Sequence, residues 1–166
     1  MAGALIVTAE IAHRDYSWLT GLRRANYPAE RDHVPAHLTM LHTVAPSAES
    51  ELRARAARIV QRKPPRAEIT GLMDLGGGVA FRVVSDDLDD IRSELAHDLH
   101  GLIGGQDSGG WRPHITIQNK VAPKIARALR QSLERNFVAR SLAISGLGIY
   151  RYLGGPWDKV AVYPFR

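Results

Sequence analysis

Apolar and polar positions alternate in the same form in two short stretches, His37-Leu38-Thr39-Met40 and His114-Ile115-Thr116-Ile117. A strand sends successive side chains to opposite faces. Each stretch therefore predicts an imidazole and a hydroxyl on one face and two buried apolar side chains on the other. Residues 4–12, rich in Ile and Val, predict a first strand, and residues 15–24 a short helix. The first tetrad strand covers 36–43. A helix to about residue 62 follows, with Ser47 or Ser50 as its cap and Lys63-Pro64-Pro65 as its stop. Strands at 67–75 and 79–85 flank the turn Gly76-Gly77-Gly78. Asp86 or Asp87 caps a helix through about residue 102, and 104–110 reads as a flexible polar loop. The second tetrad strand covers 114–120 and a helix 123–137, and strands at 141–153 and 159–165 flank Gly154-Gly155-Pro156.

The two halves share this order and finer detail. Ile69-Thr70-Gly71-Leu72 follows the first tetrad's helix, and Ile144-Ser145-Gly146-Leu147 follows the second's. Each leads through a glycine turn to Val-Ala, at Val79-Ala80 and Val160-Ala161. The histidines lie 77 residues apart and the isoleucines 75, which points to internal duplication. Seven His and six Thr would give only about a quarter of one His-x-Thr triplet by chance. Two related lobes packed together would set the tetrads face to face across a groove, where sites often form.

Two imidazoles can serve as base and acid, and two hydroxyls can bond phosphoryl oxygens. That set suits breaking or making a phosphoester without a metal. An imidazole titrating near pH ~6.5 lets one ring be neutral and the other protonated at neutral pH. Residue types alone do not say which histidine is base, and the roles exchange between the forward and reverse directions.

Composition adds bounds. At 166 residues and 45% hydrophobic, the chain suits one domain, residues 1–166, with an ample core. Cysteine is absent, which excludes disulfides and thiolate chemistry and agrees with a reducing compartment. Residues 1–12 are apolar but short, lack a basic start and carry Glu10, so they read as a buried strand rather than a secretion signal. No apolar run reaches membrane-spanning length, so a cytoplasmic protein without a membrane partner is expected. The charge of +5 favours anionic partners, yet most arginines lie beside Glu or Asp on predicted helices and read as solvated faces.

With Pro35-Ala36 before the first tetrad, Arg112-Pro113 before the second and a glycine-turn hairpin after each helix, the chain resembles the two-histidine (2H) phosphoesterase superfamily. It is most similar to the 2′-5′ RNA ligase and cyclic phosphodiesterase-like branch. The resemblance implies an α+β fold, bilobal by internal duplication, with two small antiparallel sheets and flanking helices around a central cleft. It implies cofactor-free, metal-independent chemistry on 2′,3′-cyclic phosphates or 2′-5′ linkages, with RNA termini or small nucleotides as partners. His37 and His114 would be the catalytic pair, and Thr39 and Thr116 would bind phosphate oxygens. The resemblance also includes members that bind nucleotides more than they turn them over, so a nucleotide- or RNA-binding module is the alternative.

Other candidates are single residues. Gln118 and Lys120 share strand parity with His114 and Thr116 and are candidates for anion binding. On the first strand the same parity carries Leu41 and Thr43 and sends His42 to the opposite face. Arg31 is a candidate phosphate partner unless Glu30 or Asp32 neutralises it. Tyr150, Tyr152 and Trp157 flank the last turn and could stack on a base or simply pack across the hairpin. His97 and His100 have helical spacing but no third ligand, so no metal site is assigned.

Overall fold

The computed structural model describes Gly3–Arg166; residues 1 and 2, part of the predicted 1–12 segment, lie outside the described residues. In chain order the elements are β1 (Leu5–Ile11), α1 (His13–Asn26), β2 (Leu38–Val44), α2 (Glu49–Ile59), β3 (Arg66–Asp74), β4 (Val79–Val84), α3 (Asp86–Asp98), α4 (Gly105–Ser108), β5 (His114–Gln118), α5 (Pro123–Glu134), β6 (Arg140–Tyr152) and β7 (Trp157–Pro164). All strand pairs are antiparallel and follow the path β2-β1-β6-β3-β4-β5, with β7 also on β6. The fold is thus α+β with antiparallel sheet and flanking helices.

The long strand β6 joins the two parts of the sheet. Residues Arg140 to Ala143 pair with β3, and Ile144 to Arg151 pair with β1. Consequently the sequence halves are not the two sheet halves. The hairpin β3–β4, which follows the first tetrad's helix, carries the second tetrad strand β5. The hairpin β6–β7, which follows the second tetrad's helix, lies in the part holding β1 and β2. The order of tetrad strand, helix and hairpin recurs, β2-α2-β3-β4 and β5-α5-β6-β7, and the two runs are interleaved in the sheet. The tetrad strands occupy the two ends of the sheet path, and they come into contact.

Alternation places the core as expected. Leu38, Met40, Ile115 and Ile117 are fully buried, together with Leu5 and Val7 of β1 and Leu147 and Ile149 of β6. Helices contribute one apolar face each, Leu52, Ala56 and Ile59 from α2 and Leu88, Ile91 and Leu95 from α3.

Several local expectations are corrected. Helix α2 begins after a 3-10 turn at Pro46–Ala48, so its cap position falls on Ala48 and neither Ser47 nor Ser50 caps it. Helix α3 is capped by Ser85, whose Oγ accepts from the Leu88 N–H at 3.0 Å. Asp87 instead accepts from the backbone N–H of Arg66 at 2.8 Å, joining the helix to the start of β3. The expected loop at 104–110 contains the helical turn α4, and its Asp107 is only 1% exposed. Two arginines expected on solvated faces are buried: Arg23 of α1 and Arg92 of α3 are 3% and 8% exposed.

Candidate functional site

Both tetrads end in the same irregularity. Along β1 and β2, Thr8 pairs with Thr39 but Val7 pairs with Leu41, leaving Met40 as an extra residue. Along β4 and β5, Ala80 pairs with Thr116 but Val79 pairs with Gln118, leaving Ile117 extra. Each is a β-bulge, which resets the alternation of every residue after it. Met40 and Leu41 are therefore buried side by side. Gln118 likewise turns inward: it is 3% exposed, and its Oε1 has no hydrogen-bond partner among the described residues. The parity that grouped Gln118 with His114 and Thr116 stops at the bulge. The same shift returns His42 to the face of His37, where its charge contributes to holding the His37 pKa down.

The histidines are held alike. Nδ1 of His37 bonds the Pro35 carbonyl at 2.9 Å, and Nδ1 of His114 bonds the Arg112 carbonyl at 2.8 Å. A carbonyl only accepts, so Nδ1 carries the proton and each neutral ring keeps its lone pair on Nε2. The residue two before each histidine is the local device that aims the ring. His37 is half-buried against the Trp157 indole, with ring centroids 4.6 Å apart. Burial lowers its pKa from 6.5 to about 4, against the pull of the Pro35 hydrogen bond, and Arg23 and His114 push it further down. The two imidazoles are thus close enough for charge on one to disfavour charge on the other.

The tetrad strands are sheet edges, and side chains from the opposite part close them. Arg23 Nη1 donates to the Thr116 carbonyl at 3.1 Å, while its Nε donates to Asp32 at 2.8 Å and its guanidinium lies 4.0 Å from the Tyr27 ring centre. Reciprocally, Arg92 Nε donates to the Met40 carbonyl and Trp111 Nε1 to the Thr39 carbonyl, both at 3.1 Å. Asp107 covers the rest of β2, accepting from the backbone N–H groups of His42 and Thr43 and facing His42 Nδ1 at 3.1 Å. Burial would raise its carboxyl pKa, but these bonds hold it below the usual range. None of Arg23, Arg92 or Asp107 carries a sequence signal that separates it from surface charge.

Cross-strand partners share a face, so the register identifies the rest of each wall. Beside His37 and Thr39 stand Thr8 and Glu10 of β1, Tyr150 of β6, and Trp157 and Lys159 of β7. A cavity of about 400 Å³ opens there, and its lining includes His37, Glu10, Tyr16, Tyr150, Trp157 and Lys159. Beside His114 stands Arg82, its partner on β4, exposed and without a carboxylate within 4.0 Å among the described residues. Arg82 went unnoticed in the sequence because only the register brings it to His114.

The remaining candidates scatter. Tyr150 and Trp157 line the cavity, 5.7 Å apart between ring centres, whereas Tyr152 is Trp157's strand partner but outside the lining. Arg31 is exposed on a 3-10 turn, and Asp32 pairs with Arg23 rather than with it. Strand β5 ends at Gln118, so Lys120 is not on it; Lys120 is exposed with a left-handed φ of 64°. His97 and His100 are exposed. Among the described residues no group of three or more His, Asp or Glu gathers as a metal site would require, and no helix is long and apolar enough to cross a membrane.

Solved structures with this fold match the chain at low sequence identity. A crystal structure of TT0787 from Thermus thermophilus superposes with a TM-score of 0.68 at 16% identity, covering 98% of each chain. A crystal structure of a phosphoesterase gives 0.62 at 17% identity, covering 99% of each. Escherichia coli LigT, in a crystal structure complexed with 3′-AMP, gives 0.61 at 16% identity, again covering 99% of each. No curated protein sequence matches. The family model described as the 2′-5′ RNA ligase superfamily matches residues 10–156, a span holding both tetrads, and the chain belongs to that superfamily.

Proposed function

We propose that this protein is a metal-independent phosphoesterase that opens 2′,3′-cyclic phosphates on RNA ends or nucleotides, and makes or breaks 2′-5′ linkages by the same chemistry. The observation that carries this reading is the pair of equivalent imidazoles, each with Nδ1 on a backbone carbonyl and Nε2 left free. His37, kept neutral by burial, is the base that takes the proton from water; His114 donates to the departing ribose oxygen. Thr39 and Thr116 bond the non-bridging oxygens where charge develops. In the reverse direction His114 removes the proton from an attacking hydroxyl and His37 returns one to the leaving group. Crystal structures of Escherichia coli LigT complexed with 3′-AMP, NADP+ and ATP support a nucleotide-sized ligand for this cleft.

The test is a panel of 2′,3′-cyclic nucleotides with 2′-5′ and 3′-5′ dinucleotides, incubated with chelator and scored by product. Ring opening and 2′-5′ cleavage without 3′-5′ cleavage are expected. Tight nucleotide binding with no product from any substrate would instead establish a binding module.

The pH dependence is a separate prediction. As the base, His37 must be neutral, so kcat/KM should climb through about pH 4 on the acid side rather than through 6.5. The limb of kcat should lie higher, because a bound phosphate anion favours the imidazolium. Removing the indole that buries the ring, by Trp157→Ala, should move the kcat/KM limb toward 6.5. The same shift makes the folded state lose stability as pH falls from 6.5 toward 4, where only the unfolded imidazole takes up a proton. A wild-type kcat/KM limb already at 6.5, left in place by Trp157→Ala, would show that burial against the indole does not depress the pKa of the base.

A further inference from the structure

We infer that the cavity beside His37 is a nucleobase subsite that selects guanine, with the Glu10 carboxylate as the specificity-determining group. This rests on the proposed function and adds the identity of the base. Among the described residues, Glu10 is the one acidic residue in the cavity lining. Its oxygens are fixed by two hydroxyl donors, Tyr150 Oη to Oε1 at 2.8 Å and Thr8 Oγ1 to Oε2 at 2.7 Å. Gly148, paired with Thr8, makes the room: a Cβ there would lie 2.6 Å from both Glu10 Oε2 and Thr8 Oγ1. Each carboxylate oxygen has a second lone pair, so two adjacent acceptors remain for a ligand.

Charge fixes what those acceptors meet. Lys159 offsets the charge of the cavity as a whole, but the Glu10 carboxylate itself repels a phosphate oxygen, so the phosphate stays at the histidines and threonines and a donor-bearing part of the substrate turns to Glu10. In a 2′,3′-cyclic phosphate both secondary ribose hydroxyls are esterified, which leaves the base as the principal donor. Guanine alone presents two adjacent donors, N1–H and the N2 amine, matching two adjacent carboxylate oxygens; adenine and cytosine offer only an exocyclic amine. Trp157 and Tyr150 supply aromatic faces in the same cavity. The corresponding place on the other wall is taken by Arg82, opposite His114. The β1–β2 pairing ends at Ala9 with Leu38, so Glu10 and His37 are the next residues along their two chains, and both line the cavity. The two walls therefore differ in charge at equivalent positions, and an RNA end is received in one direction: base toward Glu10, neighbouring phosphate toward Arg82.

The experiment compares kcat/KM for the 2′,3′-cyclic phosphates of guanosine, inosine and adenosine. The wild type should favour guanosine over adenosine by about tenfold or more, with inosine, which keeps N1–H but lacks the amine, between them. Glu10→Gln, close in shape but lacking one acceptor oxygen, should reduce the guanosine-to-adenosine ratio to within about threefold. Equal use of the two bases by the wild type, or a guanosine preference that survives in Glu10→Gln, would overturn the inference while leaving the proposed function standing. If the wild type opens only pyrimidine cyclic phosphates, the inference is overturned; if it acts on no cyclic nucleotide or 2′-5′ dinucleotide at all, the proposed function fails, and the subsite is judged by tryptophan-fluorescence titration with 3′-GMP and 3′-AMP. Tighter 3′-GMP binding that weakens in Glu10→Gln supports it, and equal affinities reject it.

Discussion

Replacing either His37 or His114 by alanine is expected to lower kcat for opening a 2′,3′-cyclic nucleotide by about 10²–10⁴-fold, the usual contribution of a positioned acid or base. Both rings stand on the strand face away from the core, which is built by the alternate residues Leu38, Met40, Ile115 and Ile117. Thermal unfolding should therefore change little in either variant. The double variant should be barely worse than the single ones, because removing one member of a concerted pair already disables the other. The two losses should also differ in kind. A nitrophenyl phosphodiester, whose leaving group departs without a proton, should restore much of the rate to His114→Ala and none to His37→Ala. Near-wild-type opening of the cyclic nucleotide by both variants would remove the two-histidine assignment altogether.

Arg23→Met is expected to destabilise the fold by about 3–5 kcal/mol, the cost of breaking a buried ion pair from one side. The guanidinium is almost wholly buried and serves Asp32, the Thr116 carbonyl and the Tyr27 ring at once. Its loss leaves a largely covered carboxylate unpaired and the edge of β5 without its donor from α1. Urea denaturation reads this directly, and a loss below about 1 kcal/mol would mean that the contact is replaced by water. Removing this cation should also raise the His37 pKa, since Arg23 opposes protonation of that ring. The acid limb of kcat/KM then moves up, linking one α1 side chain to both stability and chemistry.

The strands, most helices and both tetrads were legible because each rests on local periodicity. Alternation at 37–40 and 114–117 placed Leu38, Met40, Ile115 and Ile117 in the core without knowledge of their neighbours. Caps were less legible, because Ser85 and Asp87 are both competent and only the position of β3 decides that Asp87 serves Arg66. Bulges left almost no trace. The adjacent apolar pair Met40-Leu41 hints at one, but Ile117-Gln118 looks like ordinary alternation, and so Gln118 was assigned to the wrong face. Arg23, Arg92 and Asp107 read as surface charges because burial of a charge depends on partners far away in the chain, 93 residues away for Arg23 and Thr116.

By itself the sequence determined the chemistry and its repetition: two His-x-Thr faces, each backed by two buried apolar residues and each followed by the same helix, glycine turn and Val-Ala. Those features depend on contacts a few residues apart, which side-chain order encodes directly. Only the tertiary structure decided how the copies meet. Antiparallel pairing through β6 interleaves the halves and leaves β2 and β5 as opposed edges. Edge strands have unpaired carbonyls and N–H groups, and Arg23, Arg92, Trp111 and Asp107 satisfy them across the interface. Register then set Glu10 on the first wall and Arg82 on the second, because cross-strand neighbours are chosen by pairing over long separations and not by any local pattern.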